Sequence, residues 1–165
     1  MDFLLTNGYY SKNGTQSSAL TNILGANGAG VQFVDVTFYP CRKESLLTQL
    51  QTMVTYIHEN VDPSLRDDTV DDTPIDQNPF NTSLSFTDWR HGNVDKKDGY
   101  EMIWLMVQDD KYYNEECSWT DFTFAENCAY VQEFVDALNS TGRVGGIGTT
   151  ADDWTKVMGD KKACH

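Results

Sequence analysis

The sequence predicts an α/β fold with mainly parallel strands. Strand-like segments rich in β-branched and aromatic residues alternate along the chain with segments whose apolar residues recur at helical spacing. This alternation requires crossover connections, and therefore a parallel sheet covered by helices. Four strands can be recognised, whereas a closed barrel of this kind usually has eight strands in about 250 residues. The predicted architecture is a partial or modified (β/α) TIM-like barrel.

Two strands and two helices are predicted in the first part of the chain. FLLT, residues 3–6, is a short apolar strand, and a modest helix over residues 17–26 ends at a glycine-rich stretch. The clearest strand is VQFVDVTFYPC, residues 31–41, which a proline stops. Apolar residues at helical spacing then predict a helix through KESLLTQLQTMVTYIHEN, residues 43–60.

Residues 62–98 lack periodicity and are rich in proline and aspartate. They predict a long acidic, proline-containing insertion or surface loop within a single domain that spans residues 1–165. Its run RDDTVDDTPID offers oxygen ligands for calcium, but it lacks the glycine and the terminal glutamate of a regular calcium loop. A solvated acidic loop is the prediction here.

Strand and helix alternate again after the insertion. EMIWLMVQ, residues 101–108, predicts a strand, and a capping box at Thr123–Glu126 opens the next helix. Gly142 stands where that helix should end. RVGGIGTT predicts a further strand and ADDWTKVMG a last short helix. The capped helix is expected to bury Val131, Phe134, Val135 and Leu138.

Charge and hydropathy exclude several classes of partner. A formal net charge of -13 opposes nucleic acid and anionic lipid, and no apolar run approaches the roughly 20 residues that span a bilayer. The opening MDFLL is too short and too acidic for a secretory signal, so a mature or partial chain is expected. The cysteines lack the paired CxxC spacing of zinc or redox sites. No metal site and no cofactor are predicted.

Cysteines and sequons favour residence outside the cell. Four cysteines permit three disulfide connectivities, and we expect Cys117 to pair with Cys128 because the two flank a short loop. An even cysteine count together with glycosylation sequons is typical of a secreted glycoprotein. The sequons begin at Asn13, Asn81 and Asn139.

Four blocks, taken in order and spacing, carry a family resemblance. VQFVDVTFYPC, QTMVTYIHEN, YEMIWLMVQ and GIGTTADDWTKVMG resemble consecutive blocks of the lysozyme-like proteins of glycoside hydrolase family 25, in the branch found in amoebae, nematodes and other eukaryotes. The resemblance implies a modified barrel that hydrolyses peptidoglycan with acidic residues at the carboxyl ends of its strands. Both ends of the family barrel are missing, so the resemblance also implies a truncated member.

The resemblance implies a degenerate catalytic site. Met106 and Gln108 occupy the places of the family's Asp-x-Glu pair, and neither side chain can supply a titrating proton. Gly148 replaces a tyrosine near the sugar, and the family's first-strand aspartate would lie before Met1. Asp35 keeps its family position, as a remnant of the catalytic site or, without the resemblance, as a strand-end aspartate bonded to a neighbouring loop.

These residues predict a noncatalytic lysozyme-like module, a pseudoenzyme with a structural, assembly or glycan-binding role outside the cell. The ligand-binding candidates are Asp35, Trp104 and Gln108. The alternative is an active muramidase that uses displaced carboxylates such as Asp35 and Asp109, although strand alternation turns Asp109 to the opposite face.

Assembly is the remaining expectation. An incomplete parallel sheet leaves unpaired edges and an apolar inner face around Phe33, Trp104 and Met106. We therefore expect the chain to associate with copies of itself or with neighbouring extracellular proteins. Trp104, Trp119 and Trp154 could stack on sugar rings, although a tryptophan in a small barrel more often packs in the core. His58 is expected at the surface without a cluster of partner residues.

Overall fold

The structure, a computed structural model, describes residues 3–11, 13–65, 98–109, 117–141, 143–160, 162 and 164. Five strands of the described chain form one sheet: β1 (Phe3–Tyr10), β2 (Gly14–Thr15), β3 (Phe33–Tyr39), β4 (Met102–Met106) and β5 (Val144–Gly148). Four α-helices lie within the same described ranges: α1 (Ser17–Gly28), α2 (Leu46–Asn60), α3 (Phe124–Thr141) and α4 (Ala151–Met158). A 3₁₀ turn, Pro63–Leu65, follows α2.

The sheet is mainly parallel, which confirms the predicted fold class. Its order is β2-β1-β3-β4-β5, and β1, β3, β4 and β5 run parallel to one another. β2 escaped prediction because it is only two residues long and pairs antiparallel with the end of β1. This five-stranded sheet with flanking helices is compatible with a partial α/β barrel.

The core lies between one face of the sheet and the four helices. Because side chains alternate along a strand, every second residue of β3 and β4 points into this core. Its strand members include Val34, Val36, Phe38, Ile103 and Leu105, all fully buried. α1, α2, α3 and α4 contribute to the same cluster through Ile23, Leu50, Phe134 and Val157. The helices therefore share one side of the sheet.

Helix capping follows the sequence closely at α3. The backbone N–H and hydroxyl of Thr123 donate to Glu126 Oε2 at 2.8 Å and 2.7 Å, and the Glu126 N–H donates back to the Thr123 hydroxyl. This confirms the predicted capping box. Val135, predicted to be buried, is 38% exposed, because α3 turns the face containing Val131, Phe134 and Leu138 to the core. Gly142, the predicted end of this helix, lies outside the described residues.

The disulfide prediction was wrong. Cys41 pairs with Cys117, and Cys128 pairs with Cys164. Cys41 follows the carboxyl end of β3, and its Cα lies 4.4 Å from that of Cys117. Cys128 sits on α3, which packs against α4, so it meets the segment that follows α4. Proximity along the chain indicated the wrong pair because helix packing decides which Cβ atoms face each other.

In the part of the chain that the structure describes, no helix is long and apolar enough to cross a membrane. Residues 66–97 of the predicted insertion lie outside the described residues.

Candidate functional site

The candidate site lies on the face of the sheet opposite the helices, which we call the inner face. It is formed by the strand residues that alternate with the core residues. Its members are Phe3, Leu5, Asn7 and Tyr10 of β1, Phe33, Asp35, Thr37 and Tyr39 of β3, Met102, Trp104 and Met106 of β4, and Val144, Gly146 and Gly148 of β5. Gln108 continues this alternation beyond the buried Val107.

Asp35 is the one carboxylate among these strand residues, and it is only 3% exposed. It accepts two hydrogen bonds from β4: the Met102 backbone N–H at 3.1 Å and the Trp104 indole N–H at 2.8 Å. Burial raises the pKa of Asp35 above its ordinary value, although both hydrogen bonds act in the opposite direction. Asp35 is therefore a buried acceptor that ties β3 to β4.

The indole of Trp104 lies across the sheet from β3 to β5. Its N–H reaches Asp35 on one side, and its six-membered ring covers Gly146 on the other. A Cβ at position 146 would stand 2.5 to 3.0 Å from three adjacent ring atoms and would run into the face of the ring. Because only glycine leaves this space free, one face of the half-buried indole rests on β5 and the opposite face is turned away from it.

Met106 and Gly148 form a second pair one row nearer the carboxyl ends of the strands. They are register partners, and a Cβ at position 148 would stand 2.5 Å from the Met106 sulfur. The Met106 side chain thus occupies the space that a tyrosine at position 148 would need. The two residues at which the resemblance implies a degenerate site are therefore packed together in the structure.

Asp109 lies on the helix side of the sheet, where it interacts with α4. Its carboxylate forms an ion pair with Lys156 of α4, and its backbone N–H donates to Asp153 at 3.2 Å. The hydrogen bond and the charge of Asp109 raise the pKa of Lys156. The structure therefore does not bring Asp109 and Asp35 together on one face. Asp110 lies outside the described residues.

The other aromatic candidates differ from Trp104. Trp119 is fully buried, and it packs edge-on against Tyr130 with Arg42 above its ring at 5.3 Å. Trp154 is half-buried against the core from α4. Both predictions of core packing are confirmed. Trp104 is the tryptophan that the described structure places on the inner face.

The predicted sequons fall in different settings. Asn13 is exposed in the turn between β1 and β2, and Asn139 is exposed in the last turn of α3. Asn81 lies outside the described residues. Glycosylation at these positions stays a prediction.

One charged cluster was missed in the sequence, at the amino-terminal ends of β4 and β5. Asp98 is 3% exposed and lies 2.7 Å from the ring Nδ1 of His58 and 2.8 Å from the Arg143 guanidinium. Arg143 also donates to the Tyr100 hydroxyl at 2.6 Å. Burial is the main cause that raises the pKa of Tyr100 to about 12. The expectation that His58 has no partner residues was wrong, because its ring pairs with Asp98. The two residues are 40 positions apart in the sequence, so only the fold brings them together.

Within the described residues, no group of three or more His, Cys, Asp or Glu side chains is arranged to hold a metal ion. Neutral amides, hydroxyls and aromatic rings make up most of the polar inner face instead. Thr37 donates to the Asn7 side chain, and Tyr10 and Tyr39 meet edge-on with ring centres 5.7 Å apart.

The fold and the site define an α/β protein of the partial-barrel class, with its candidate site at and below the carboxyl ends of parallel strands. Among curated proteins the chain is similar to "Probable GH family 25 lysozyme 2" of Dictyostelium discoideum, with 22% identity over 159 residues. The match covers 96% of this chain and 54% of that protein, so the chain spans about half the length of the relative. No protein family model and no solved structure matches the chain. This distant similarity supports a lysozyme-like fold of the family 25 type.

Proposed function

We propose that this chain is a noncatalytic, lysozyme-like module that binds glycan outside the cell. One observation carries the proposal: among the described strand residues, the inner face holds a single carboxylate, Asp35. Glycoside hydrolysis by the common mechanisms needs two carboxyl groups that flank the scissile bond, roughly 5 to 9.5 Å apart. Met106 and Gln108 at the resembling positions cannot replace the second group.

The state of Asp35 supports the same proposal. Its carboxylate oxygens accept hydrogen bonds from Met102 and Trp104. The group therefore stabilises the contact between β3 and β4 and does not face an open cleft. The alternative is an active muramidase that uses displaced carboxylates such as Asp35 and Asp109 on the inner face. Asp109 is paired with Lys156 on the helix side, which argues against that alternative.

The test measures cleavage and binding on the same substrate. Purified chain is added to a bacterial cell-wall suspension, turbidity is followed, and the pelleted walls are assayed for bound chain. We expect binding without clearing. Clearing by the wild type that is lost in Asp35→Asn would overturn the noncatalytic proposal and favour the muramidase. Absence of binding to cell walls and to chitin would overturn glycan binding.

Lys156→Ala provides a matched variant for this assay. It removes the ion-pair partner of Asp109 and leaves the inner face unaltered. If Asp109 were a concealed catalytic group, its release should increase clearing. We expect Lys156→Ala to bind cell walls like the wild type and to clear none.

We propose, second, that the chain self-associates through β1. Phe3 and Leu5 are 56% and 44% exposed on the inner face. Among the described residues, β1 pairs with β2 only at Tyr9 and Tyr10, so no described strand pairs with Phe3–Asn7 on that side. An apolar strand segment with an unpaired edge is a template for pairing with a second copy.

Sedimentation at micromolar concentration tests the assembly proposal. The wild type is expected to sediment faster than a monomer of 18.6 kDa. Phe3→Ser with Leu5→Ser should restore the monomer, whereas Leu24→Ser should not, because exposed Leu24 lies on α1, on the helix side of the sheet rather than on the inner face. A wild type that stays monomeric throughout would reject self-association.

A further inference from the structure

We propose that the indole of Trp104 is a preformed stacking platform for an uncharged, gluco-configured pyranose, with Asp35 as the residue that positions the ring. This inference rests on the proposed glycan-binding function and assigns it a contact residue and a ligand class. Asp35 is here a positioning residue rather than a catalytic one.

The first step of the argument is the fixed orientation of the ring. A tryptophan on a strand has two side-chain torsions, and both are constrained here by contacts on neighbouring strands. The Asp35 carboxylate holds the indole N–H at 2.8 Å from the β3 side. On the β5 side the ring lies over Gly146, where any side chain would displace it. The ring is thus held flat before any ligand arrives, which lowers the entropic cost of binding.

The second step concerns the exposed side of the ring. Trp104 is half-buried, whereas the structural Trp119 is fully buried in the core. A core tryptophan buries both of its faces, but Trp104 uses Gly146 for one face and leaves the other turned away from the sheet. A flat aromatic surface with its polar N–H already satisfied is suited to apolar C–H groups rather than to a further hydrogen-bond acceptor.

The third step selects the ligand. A gluco-configured pyranose carries its hydroxyls around the ring edge and its C–H groups on the two faces, so it can stack on an indole while its edge bonds to neighbouring amides. Asn7 lies in the same row of the sheet as Trp104, and Gln108 lies beyond Met106 on the same face. The net charge of -13, with the Asp35 carboxylate at the indole N–H edge of the ring, disfavours anionic sugars. An uncharged glycan is therefore preferred to one that carries carboxylates.

The experiment measures the affinity of the full chain for chitotetraose by calorimetry, with three variants. Trp104→Leu should weaken binding by about tenfold, equivalent to about 1.4 kcal/mol, because leucine offers the sugar no flat aromatic face. Trp154→Leu is the control, since it alters a half-buried indole on the helix side. It should leave the affinity unchanged. Asp35→Ala should weaken binding, although it removes no atom from the stacking surface.

A second readout separates a platform from a purely structural tryptophan. In the wild type, the indole N–H resonance of Trp104 should exchange slowly with solvent because it is bonded to Asp35. Its ring resonances should shift on addition of chitotetraose. If Trp104→Leu does not fold, these shifts in the wild type still decide the question. Sugar binding that leaves the Trp104 resonances unmoved would overturn the platform.

A separate binding measurement tests the preference for an uncharged sugar. A tetrasaccharide in which N-acetylmuramic acid alternates with N-acetylglucosamine carries carboxylates that chitotetraose lacks. It should bind more weakly at low salt, and the difference should shrink as salt screens the charges. A wild type that binds neither sugar overturns the glycan-binding function and the platform together. Wild-type binding that Trp104→Leu leaves intact overturns only the platform.

Discussion

At the scale of single residues, the surroundings of Asp35 determine what its carboxylate can do. In a pair of carboxylates, one group must exchange protons with the substrate. Here the carboxylate accepts from Met102 and Trp104 and is almost fully buried. Its environment is that of a structural acceptor, since both hydrogen bonds favour the ionised form against the cost of desolvation.

Asp35 should leave a signature in the pH dependence of stability. Burial raises its folded-state pKa above the ordinary value of an aspartate, so the folded chain binds this proton more tightly than the unfolded chain. The free energy of unfolding should therefore fall as pH rises through the interval between the ordinary and the raised pKa. Above the raised pKa the effect should be constant.

Urea unfolding of wild type and Asp35→Asn across this interval tests that prediction. Other acidic groups titrate in both proteins, so the difference between the two free energies isolates Asp35. We expect the wild type to lose stability relative to Asp35→Asn as pH rises. A difference that is flat, or that grows in favour of the wild type with rising pH, would contradict a raised pKa.

At the scale of elements, β4 and β5 fit together through large side chains over glycines. Gly146 lies under Trp104, and Gly148 lies against Met106. The two contacts differ in how easily the large side chain can move away from the glycine. Trp104 is rigid and held by Asp35, whereas the Met106 sulfur is near the flexible end of its side chain.

Alanine at the two glycines should therefore have unequal effects. Gly146→Ala should lower the free energy of unfolding by roughly 1 to 3 kcal/mol, the range for overpacking. Gly148→Ala should cost less, because Met106 can move aside. Thermal or urea unfolding measures both, and Gly25→Ala on the exposed side of α1 is the control, since nothing lies within 4 Å of its added Cβ. Equal costs at positions 146 and 148 would refute the proposed difference.

Local patterns predicted the elements well, and long-range contacts account for what was missed. β-branched residues in β3, apolar spacing in α2 and the pair Thr123 and Glu126 each act over a few positions, so the sequence displays them directly. The pairing of His58 with Asp98 depends on how α2 meets the start of β4, which no local pattern records. Likewise, the resemblance identified Met106 and Gly148 as separate positions. Their contact with each other could not be predicted, because it depends on the register between β4 and β5.

At the scale of the whole molecule, two disulfides join parts of the chain that the sheet alone does not hold. Cys41–Cys117 links the end of β3 to the segment before α3, and Cys128–Cys164 links α3 to the segment after α4. Their sequence separations are 76 and 36 residues. Large loops restrict the unfolded chain most strongly.

Removal of either disulfide should lower the free energy of unfolding by about 4 kcal/mol, with the larger loop contributing slightly more. The paired variants are Cys41→Ser with Cys117→Ser, and Cys128→Ser with Cys164→Ser. Urea unfolding compares each with the oxidised wild type. Peptide mapping without reduction checks the connectivity, and a Cys117–Cys128 peptide would contradict the structure.

Leu65 and Gly99 lie side by side, although 33 residues separate them in the sequence. A Cβ at Gly99 would stand 3.3 Å from the Leu65 side chain, and the Gly99 carbonyl accepts from Asn27 at 2.9 Å. Asp98 is fixed by Arg143 and His58. The junction is therefore secured by α1, α2 and the start of β5, whatever sequence connects its two ends.

Such a junction fixes the two points between which a connecting segment must run. Doubling the length of a loop costs only about 0.6 kcal/mol, so segments of very different length can be accommodated between the same two anchor points. Two glycine-serine linkers of different length in place of residues 66–97 should therefore give urea midpoints that differ little from each other. The same position should accept a foreign peptide for display, and it is where evolution could lengthen or shorten the chain without redesigning the sheet.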